Sequence, residues 1–213
     1  NPVGKAMEWL TKERKLSPEI ISLFKIEVKA DEPRGIVFPC ISPTGEVINR
    51  SFRSLPKEGE KKKVWQEKGC APCLFGWQAL TEEALITRTV ILTEGQIDAC
   101  SYRSWGFPAL SIPNGSGMTW IDYNWTDLQA FDHIYLSFDM DDAGRKNCRE
   151  VVKRLGPHRC YIVEIPRKDA NTCLQEGFTA KDAHKWISSA KMPEFDGIVV
   201  ASDLANRISA DLV

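Results

Sequence analysis

The chain has 213 residues, a formal net charge of −1, 43% hydrophobic residues and 27% charged residues. That length suits one large domain or two small ones, and the composition excludes intrinsic disorder and fibrous architectures. No apolar run approaches the ~20 residues needed to cross a bilayer as a helix. Charge is unevenly spread. Residues 1–69 hold 14 Lys+Arg against 10 Asp+Glu, and residues 70–213 hold 14 against 19. A basic part is joined to an acidic one, and basic surface attracts phosphate while clustered carboxylates attract divalent metal. The start, NPVGKAMEWL, has neither a signal-peptide apolar stretch nor an initiator Met, which predicts a piece of a longer chain. Seven Cys scattered without an export signal predict a reduced intracellular setting.

In chain order, AMEWLTKERKL reads as a helix, with Met7, Leu10 and Leu16 apolar among charges. Ser17-Pro18-Glu19 is a helix start, with Ser as cap and Pro in the first turn. Gly35–Ile41 and Glu46–Arg53 read as two strands joined at Pro43-Thr44-Gly45. Residues 56–63 form a polar loop, either a solvated tip or a phosphate-contacting edge. From Arg88 onward strands and helices alternate. TVILTEG, PALSIP, HIYLSFD and RCYIVEIP are strands; QIDACSYRSW, AGRKNCREVVKRL and about 180–190 are helices. Such alternation predicts a parallel α/β sheet, with ligands at the carboxyl ends of its strands. Residues 192–213 read as a linker with a short amphipathic stretch, Leu204–Leu212.

Acidic side chains stand at three of those strand ends: Glu94 after the first, Asp139 and Asp141 after the third, and Asp169 after the fourth. Like charges so close repel one another, and a divalent cation relieves them. Oxygen-only ligands favour Mg²⁺ over Zn²⁺. If the backbone stays extended through Asp139-x-Asp141, both side chains face one way. Asp141 or Asp142 and Asp169 are equally suited to cap helices. Gly95 and Gly144 permit close backbone approach beside these acids.

Three runs together carry a resemblance: Thr93-Glu94-Gly95-Gln96-Ile97-Asp98, Phe138-Asp139-Met140-Asp141-Asp142-Ala143-Gly144-Arg145-Lys146, and Lys168-Asp169-Ala170-Asn171. They resemble the TOPRIM fold, the metal-binding module of DnaG-type primases, topoisomerases and related nucleases. The second and third runs look most like the primase half of the phage primase–helicases, with Twinkle-type helicases as more distant cousins. The resemblance implies a Rossmann-like, mainly parallel sheet flanked by helices, with a small α+β amino-terminal lobe. It places the lobe at 1–87, the TOPRIM domain at 88–191 and a linker toward a helicase domain at 192–213.

The resemblance further implies RNA primer synthesis on single-stranded DNA from ribonucleoside triphosphates. Glu94 matches the catalytic glutamate, as general base or metal ligand. Asp139 and Asp141 match the metal-binding pair, and Asp169 the further acidic position. Two Mg²⁺ (or Mn²⁺) ions would assist the displacement of pyrophosphate. Asp98, one helical turn beyond Glu94, is a further metal-site candidate or an ordinary helix residue. For DNA and nucleotide contact the candidates are Arg34, Arg50, Arg53, Lys68, Arg145, Lys146 and Lys168, with the 61–63 lysines ranked lower. Arg50 and Arg53 differ by an odd number, so a regular strand turns them to opposite faces. Asn114-Gly115-Ser116-Gly117 is a turn with backbone N–H groups that suit phosphate.

Cys70-x-x-Cys73 is a lone pair, so no zinc site is expected in this segment. The zinc-binding module and the helicase domain are instead expected as partners on the parent protein. A monomeric, cytoplasmic, non-membrane fragment follows. The competing readings are a TOPRIM nuclease and a non-catalytic single-stranded-DNA-binding module.

Overall fold

Two four-stranded sheets of opposite character organise the chain. The computed structural model describes residues 2–29, 35–55, 63–113 and 117–193. Within the first part, helix α1 (Pro2–Glu8) runs into a wider π-turn at Trp9–Glu13, and α2 spans Pro18–Leu23. Ser17 caps α2 by accepting from the Ile20 N–H, with Pro18 in the first turn, as the sequence predicts. Strands β1 (Glu27–Lys29), β2 (Gly35–Ile41), β3 (Val47–Ser54) and β4 (Val64–Gln66) pair in that order, all antiparallel. The predicted hairpin is β2–β3, with a bulge between Cys40 and Ile41 beside its turn.

The second part holds α3 (Glu82–Ile86), β5 (Thr89–Thr93), α4 (Gln96–Ser104), β6 (Ala109–Ser111), α5 (Thr119–Tyr123) and α6 (Trp125–Leu128). Then follow β7 (His133–Ser137), α7 (Asp142–Leu155), β8 (Cys160–Ile162), α8 (Ala170–Gln175) and α9 (Ala180–Ser188). Strand order is β6-β5-β7-β8, every pair parallel. Both faces of this sheet are covered. On β5, Val90 and Leu92 join one apolar cluster and Ile91 the other. That burial on two sides is why β5 reads as a continuous apolar, β-branched run. The fold is α/β, a parallel sheet flanked by helices beside a small antiparallel lobe, as expected.

Two predicted strands are shorter than their patterns. β7 stops at Ser137, two residues before Asp139, and β8 ends at Ile162 rather than near Pro166. Among the described residues, 163–165 have no ladder partner beyond one Val163 N–H to the Leu136 carbonyl, although Val163 and Ile165 stay buried. Apolar alternation reports burial, and it continues past the last paired residue. Helices α5 and α6 are absent from the sequence reading; they are 5 and 4 residues long, too short to show a period. Helix α7 matches its reading: Cys148, Val151, Val152 and Leu155 are buried while Arg145, Lys146 and Arg149 are exposed. The amphipathic stretch at 204–212 lies outside the described residues.

The two sheets share one core. Phe75 stacks on Phe24 (5.1 Å between centroids) and meets Phe38 edge-on (5.7 Å). The same residue exchanges two backbone hydrogen bonds with Ser111 on β6, both 2.9 Å. The segment between the sheets thus extends the edge of the parallel sheet by one antiparallel bridge. A single cluster runs from Leu10, Leu16 and Phe24 through Phe75 to Leu92 and Leu136. This seam fixes β3 opposite the carboxyl ends of β5 and β7.

Candidate active site

Chain direction brings the acids together. In a parallel sheet all strands point the same way, so the loops after β5, β7 and β8 share one rim. Across from that rim stands β3. Between them is a cleft of about 270 Å³ lined by Phe38, Ser51, Arg53, Glu94, Asp98, Asp139, Lys168 and Asp169. Ser51 and Gln96 span it, with the Gln96 amide donating to the Ser51 hydroxyl at 3.2 Å.

Glu94 sits where β5 turns into α4. The Asn147 amide on α7 donates to its Oε1 at 3.1 Å. Burial pushes the Glu94 carboxyl above its ordinary range, Asn147 pulls it back, and Asp139 and Asp141 add repulsion. Asp139 and Asp141 both reach the Lys168 ammonium, at 3.5 and 3.3 Å. They therefore converge on one point, although the strand has already ended. What holds them is the turn into α7. Asp141 caps that helix, its Oδ1 accepting from the Gly144 N–H at 3.0 Å, so only Oδ2 faces Lys168. Gly144 packs so closely on Asp139 that a Cβ would run into the Asp139 carbonyl. Their titration differs accordingly. Burial raises the Asp139 carboxyl, whereas the Gly144 N–H and Lys168 lower that of the exposed Asp141.

Asp98 and Asp169 form a second group, deeper in the cleft. Asp169 caps α8, its Oδ1 accepting from both the N–H and the hydroxyl of Thr172 at 2.7 Å. Asp98 Oδ1 accepts from the Asn171 N–H at 2.8 Å. Asp98 is pushed up to about 7 by burial first, then by Asp169, with the Asn171 N–H acting against them. The buried Asn171 side chain also ties the two parts of the chain together. Its amide donates to the Arg14 carbonyl (2.9 Å) and the Ser101 hydroxyl (3.0 Å), and Arg14 Nη1 donates back to its Oδ1 (3.3 Å).

The basic candidates separate. Arg53 lines the cleft, while Arg50 lies on the other side of β3, paired with Glu67 at 3.2 Å. The parity expectation thus assigns only Arg53 to the cleft. Arg53 stands over the Trp9 ring at 5.0 Å, with Arg14 over the same ring at 4.5 Å. Burial, then repulsion from Arg14, lowers the Arg53 guanidinium, and its Nε is buried without a hydrogen-bond partner. Lys68 is exposed in a turn after β4 and does not line the cleft. Lys146 is exposed on α7. Arg145 donates to the Met140 carbonyl at 3.0 Å and borders a separate cleft of about 490 Å³ on the far side of Asp139. Arg34, Lys61, Lys62 and residues 114–116 lie outside the described residues, and Lys63 is exposed at the edge.

Sequence reasoning missed Asn147, Arg14, Trp9 and the role of Asn171. Asn147 carried a signal: it shares the inward face of α7 with Gly144, Cys148 and Val151, where a polar side chain needs a partner. Arg14 and Trp9 had none, because nothing local distinguishes them from other helix residues.

The donor set fits a hard divalent cation. It is all oxygen, Asp139 and Asp141 raise Glu94 while Asp169 and Asp141 raise Asp139, and two of these acids already close on one positive group. The expected convergence of four acids is looser than the sequence implied. Among the described residues no three His, Cys, Asp or Glu side chains close on one point. Helix capping is the reason, since it turns Asp169 toward α8 and one oxygen of Asp141 toward α7. Mg²⁺ suits such a site, since it takes one or two carboxylates and keeps the rest of its shell for water and substrate phosphates. Cys73 is buried, donating to the Leu74 carbonyl, while Cys70 is exposed near Glu67.

The chain is similar to known proteins in sequence and in fold. Residues 91–174 match the Toprim-like family model. The chain is 31% identical over 127 residues to the DNA helicase/primase of Enterobacteria phage T3, covering 57% of this chain and 22% of that protein. The fold is similar to the primase fragment of the bacteriophage T7 primase-helicase, with a TM-score of 0.65 and 22% identity over 83% of this chain and 72% of that one. It is also similar to a DnaG primase catalytic domain bound to single-stranded DNA, with a TM-score of 0.69 and 18% identity over 90% and 73%. This chain spans between 20% and 43% of the length of the curated relatives it matches. Residues 91–174 are thus Toprim-like, and the fold is similar to that of solved primase cores.

Proposed function

We propose that this chain is the catalytic core of a DNA primase, joining ribonucleoside triphosphates into short primers on a single-stranded DNA template. The observation that carries the reading is the convergence of Asp139 and Asp141 on one cation position beside Glu94, facing Arg53 across the cleft. Asp139 and Asp141 would hold the first Mg²⁺, and Asp98 with Asp169 a second. Bound there, Mg²⁺ supplies charge neutralisation for the triphosphate and the developing pyrophosphate. Glu94, made more basic by burial and its acidic neighbours, accepts the proton of the attacking 3′-hydroxyl. Asn147 holds the Glu94 carboxylate in place. Arg53, stiffened against Trp9, meets a phosphate of nucleotide or template.

We assign a basic lobe to 87, a TOPRIM domain from 88 to 191 and a linker from 192 toward a helicase domain, a division that the change from antiparallel to parallel sheet supports. The DNA-bound neighbour supports a single-stranded template, and the phage relative supports a helicase on the same polypeptide. Template sequence reading is assigned to a zinc-binding module of the parent protein, and the core itself to a monomer in the cytoplasm. No helix among the described residues is long and apolar enough to cross a membrane.

The test is template-dependent joining of labelled ribonucleotides on single-stranded DNA with Mg²⁺. Short RNA products that vanish in Glu94→Gln and in Asp139→Asn/Asp141→Asn are expected. Carboxylate-dependent cutting of the DNA without RNA product replaces the reading with a nuclease.

A further inference from the structure

Lys168 occupies an unusual position. Its ammonium touches both carboxylates of the pair assigned to metal, 3.5 Å from Asp139 Oδ2 and 3.3 Å from Asp141 Oδ2. The backbone beneath it is fixed, because the Met140 N–H, between the two acids, donates to the Lys168 carbonyl at 2.8 Å. Asp169, the next residue, is fixed in turn as the cap of α8. The stem therefore starts from one place. Its end is not confined: the Lys168 side chain is 61% exposed.

A divalent cation and this ammonium cannot share the pair. Mg²⁺ binds oxygen at about 2.0–2.1 Å and would draw on the same two carboxylates. The positive groups would then be nearly in contact. The ammonium is singly charged and loses little on leaving, since exposed ion pairs are weak. We infer that Lys168 is the resident counter-cation of Asp139 and Asp141 in the metal-free protein, that a divalent ion displaces it, and that the displaced ammonium turns to the phosphates of an incoming nucleotide. One side chain then holds the pair in its metal-ready pose and reports metal entry to the substrate side of the cleft, which it also lines. This rests on the metal assignment made above.

The consequence runs against the usual result of mutating beside a metal site: removing Lys168 tightens metal binding. Mn²⁺ is titrated into the protein without nucleotide, and free Mn²⁺ is followed by its paramagnetic resonance signal. Lys168→Met keeps the stem and removes the charge, and is expected to bind Mn²⁺ about 2- to 10-fold more tightly than the native chain. Lys168→Arg keeps the charge and stays near native. Lys146→Met removes a charge on α7 that forms no ion pair with either acid among the described residues, and changes affinity less than Lys168→Met. In the presence of Mg²⁺, Lys168→Met binds a fluorescent ATP analogue several-fold more weakly. Unchanged or weaker Mn²⁺ binding by Lys168→Met overturns the inference, as does equal tightening in Lys146→Met. If neither the native chain nor Lys168→Met binds Mn²⁺ above Asp139→Asn/Asp141→Asn, the metal assignment falls as well. If Lys168→Met tightens Mn²⁺ while the native chain makes no primers, the exchange stands and the primase reading falls.

Discussion

Replacing Asp98 with Asn should stabilise the metal-free protein in a pH-dependent way. Asp98 is half-buried beside Asp169 and Asp139, and desolvation and then their charges raise its carboxyl from 3.8 to about 7. An acid with a raised folded value resists ionisation in the fold. Its contribution to stability is fully present below the unfolded value of 3.8, declines as pH rises, and levels off above about 7. The whole displacement is worth about 4 kcal/mol as an upper bound, at about 1.4 kcal/mol for each tenfold change in proton affinity. Nearly 2 kcal/mol of that is already lost at about pH 5, so about 2–3 kcal/mol remains to be lost between about pH 5 and about pH 8. Asn is close to isosteric and keeps an oxygen to accept from the Asn171 N–H. Urea unfolding of both chains with a chelator present, at about pH 5 and about pH 8, gives the comparison. The stabilisation by Asp98→Asn should grow toward the higher pH. A difference that is flat with pH, or that shrinks as pH rises, refutes the assignment of buried acid repulsion at this position.

Other outcomes follow from the same geometry. Gly144→Ala drives a methyl into the Asp139 carbonyl, so it should cost about 1–3 kcal/mol and weaken Mn²⁺ binding together; normal Tm and metal affinity would contradict the close packing. Asn147→Ala leaves the Glu94 carboxylate unheld and should lower primer synthesis about 10- to 100-fold while circular dichroism and Tm stay nearly native. Asp169→Asn should keep the cap of α8 and lose activity, whereas Asp169→Ala should also lose about 1 kcal/mol of stability; thermal melts of the two variants separate charge from capping. Asn171→Ala strands the Arg14 carbonyl and leaves the Ser101 hydroxyl only its bond to the Ile97 carbonyl, and denaturant unfolding should show a loss of about 1–3 kcal/mol.

Much of the acidic rim was legible because it depends on local rules. A β-branched run marked β5 and a strongly apolar one β7, and the acids stood at their ends in plain order. Odd spacing placed Arg50 and Arg53 on opposite faces of β3, and the structure pairs one with Glu67 and turns the other into the cleft. The detail of the rim was less legible. Asp141 and Asp169 read as ligands or caps, and both cap their helices, Asp141 with Oδ1 while Oδ2 faces Lys168. No spacing rule divides a carboxylate's two oxygens between a helix and a cleft.

By itself, the sequence determined the alternation of strands and helices, the parallel direction of the second sheet, and hence the shared rim that bears Glu94, Asp139, Asp141 and Asp169. These follow from backbone period and chain direction, which a short window of residues controls. The tertiary structure alone decided which groups meet across that rim. Asn147 reaches Glu94 from 53 residues away, Asn171 reaches Asp98 from 73, and Arg14 reaches Asn171 from 157. Those contacts depend on how α4, α7, α8 and the amino-terminal helix pack on one continuous core. Such packing is a collective outcome of side-chain volumes throughout the molecule, which no local pattern encodes.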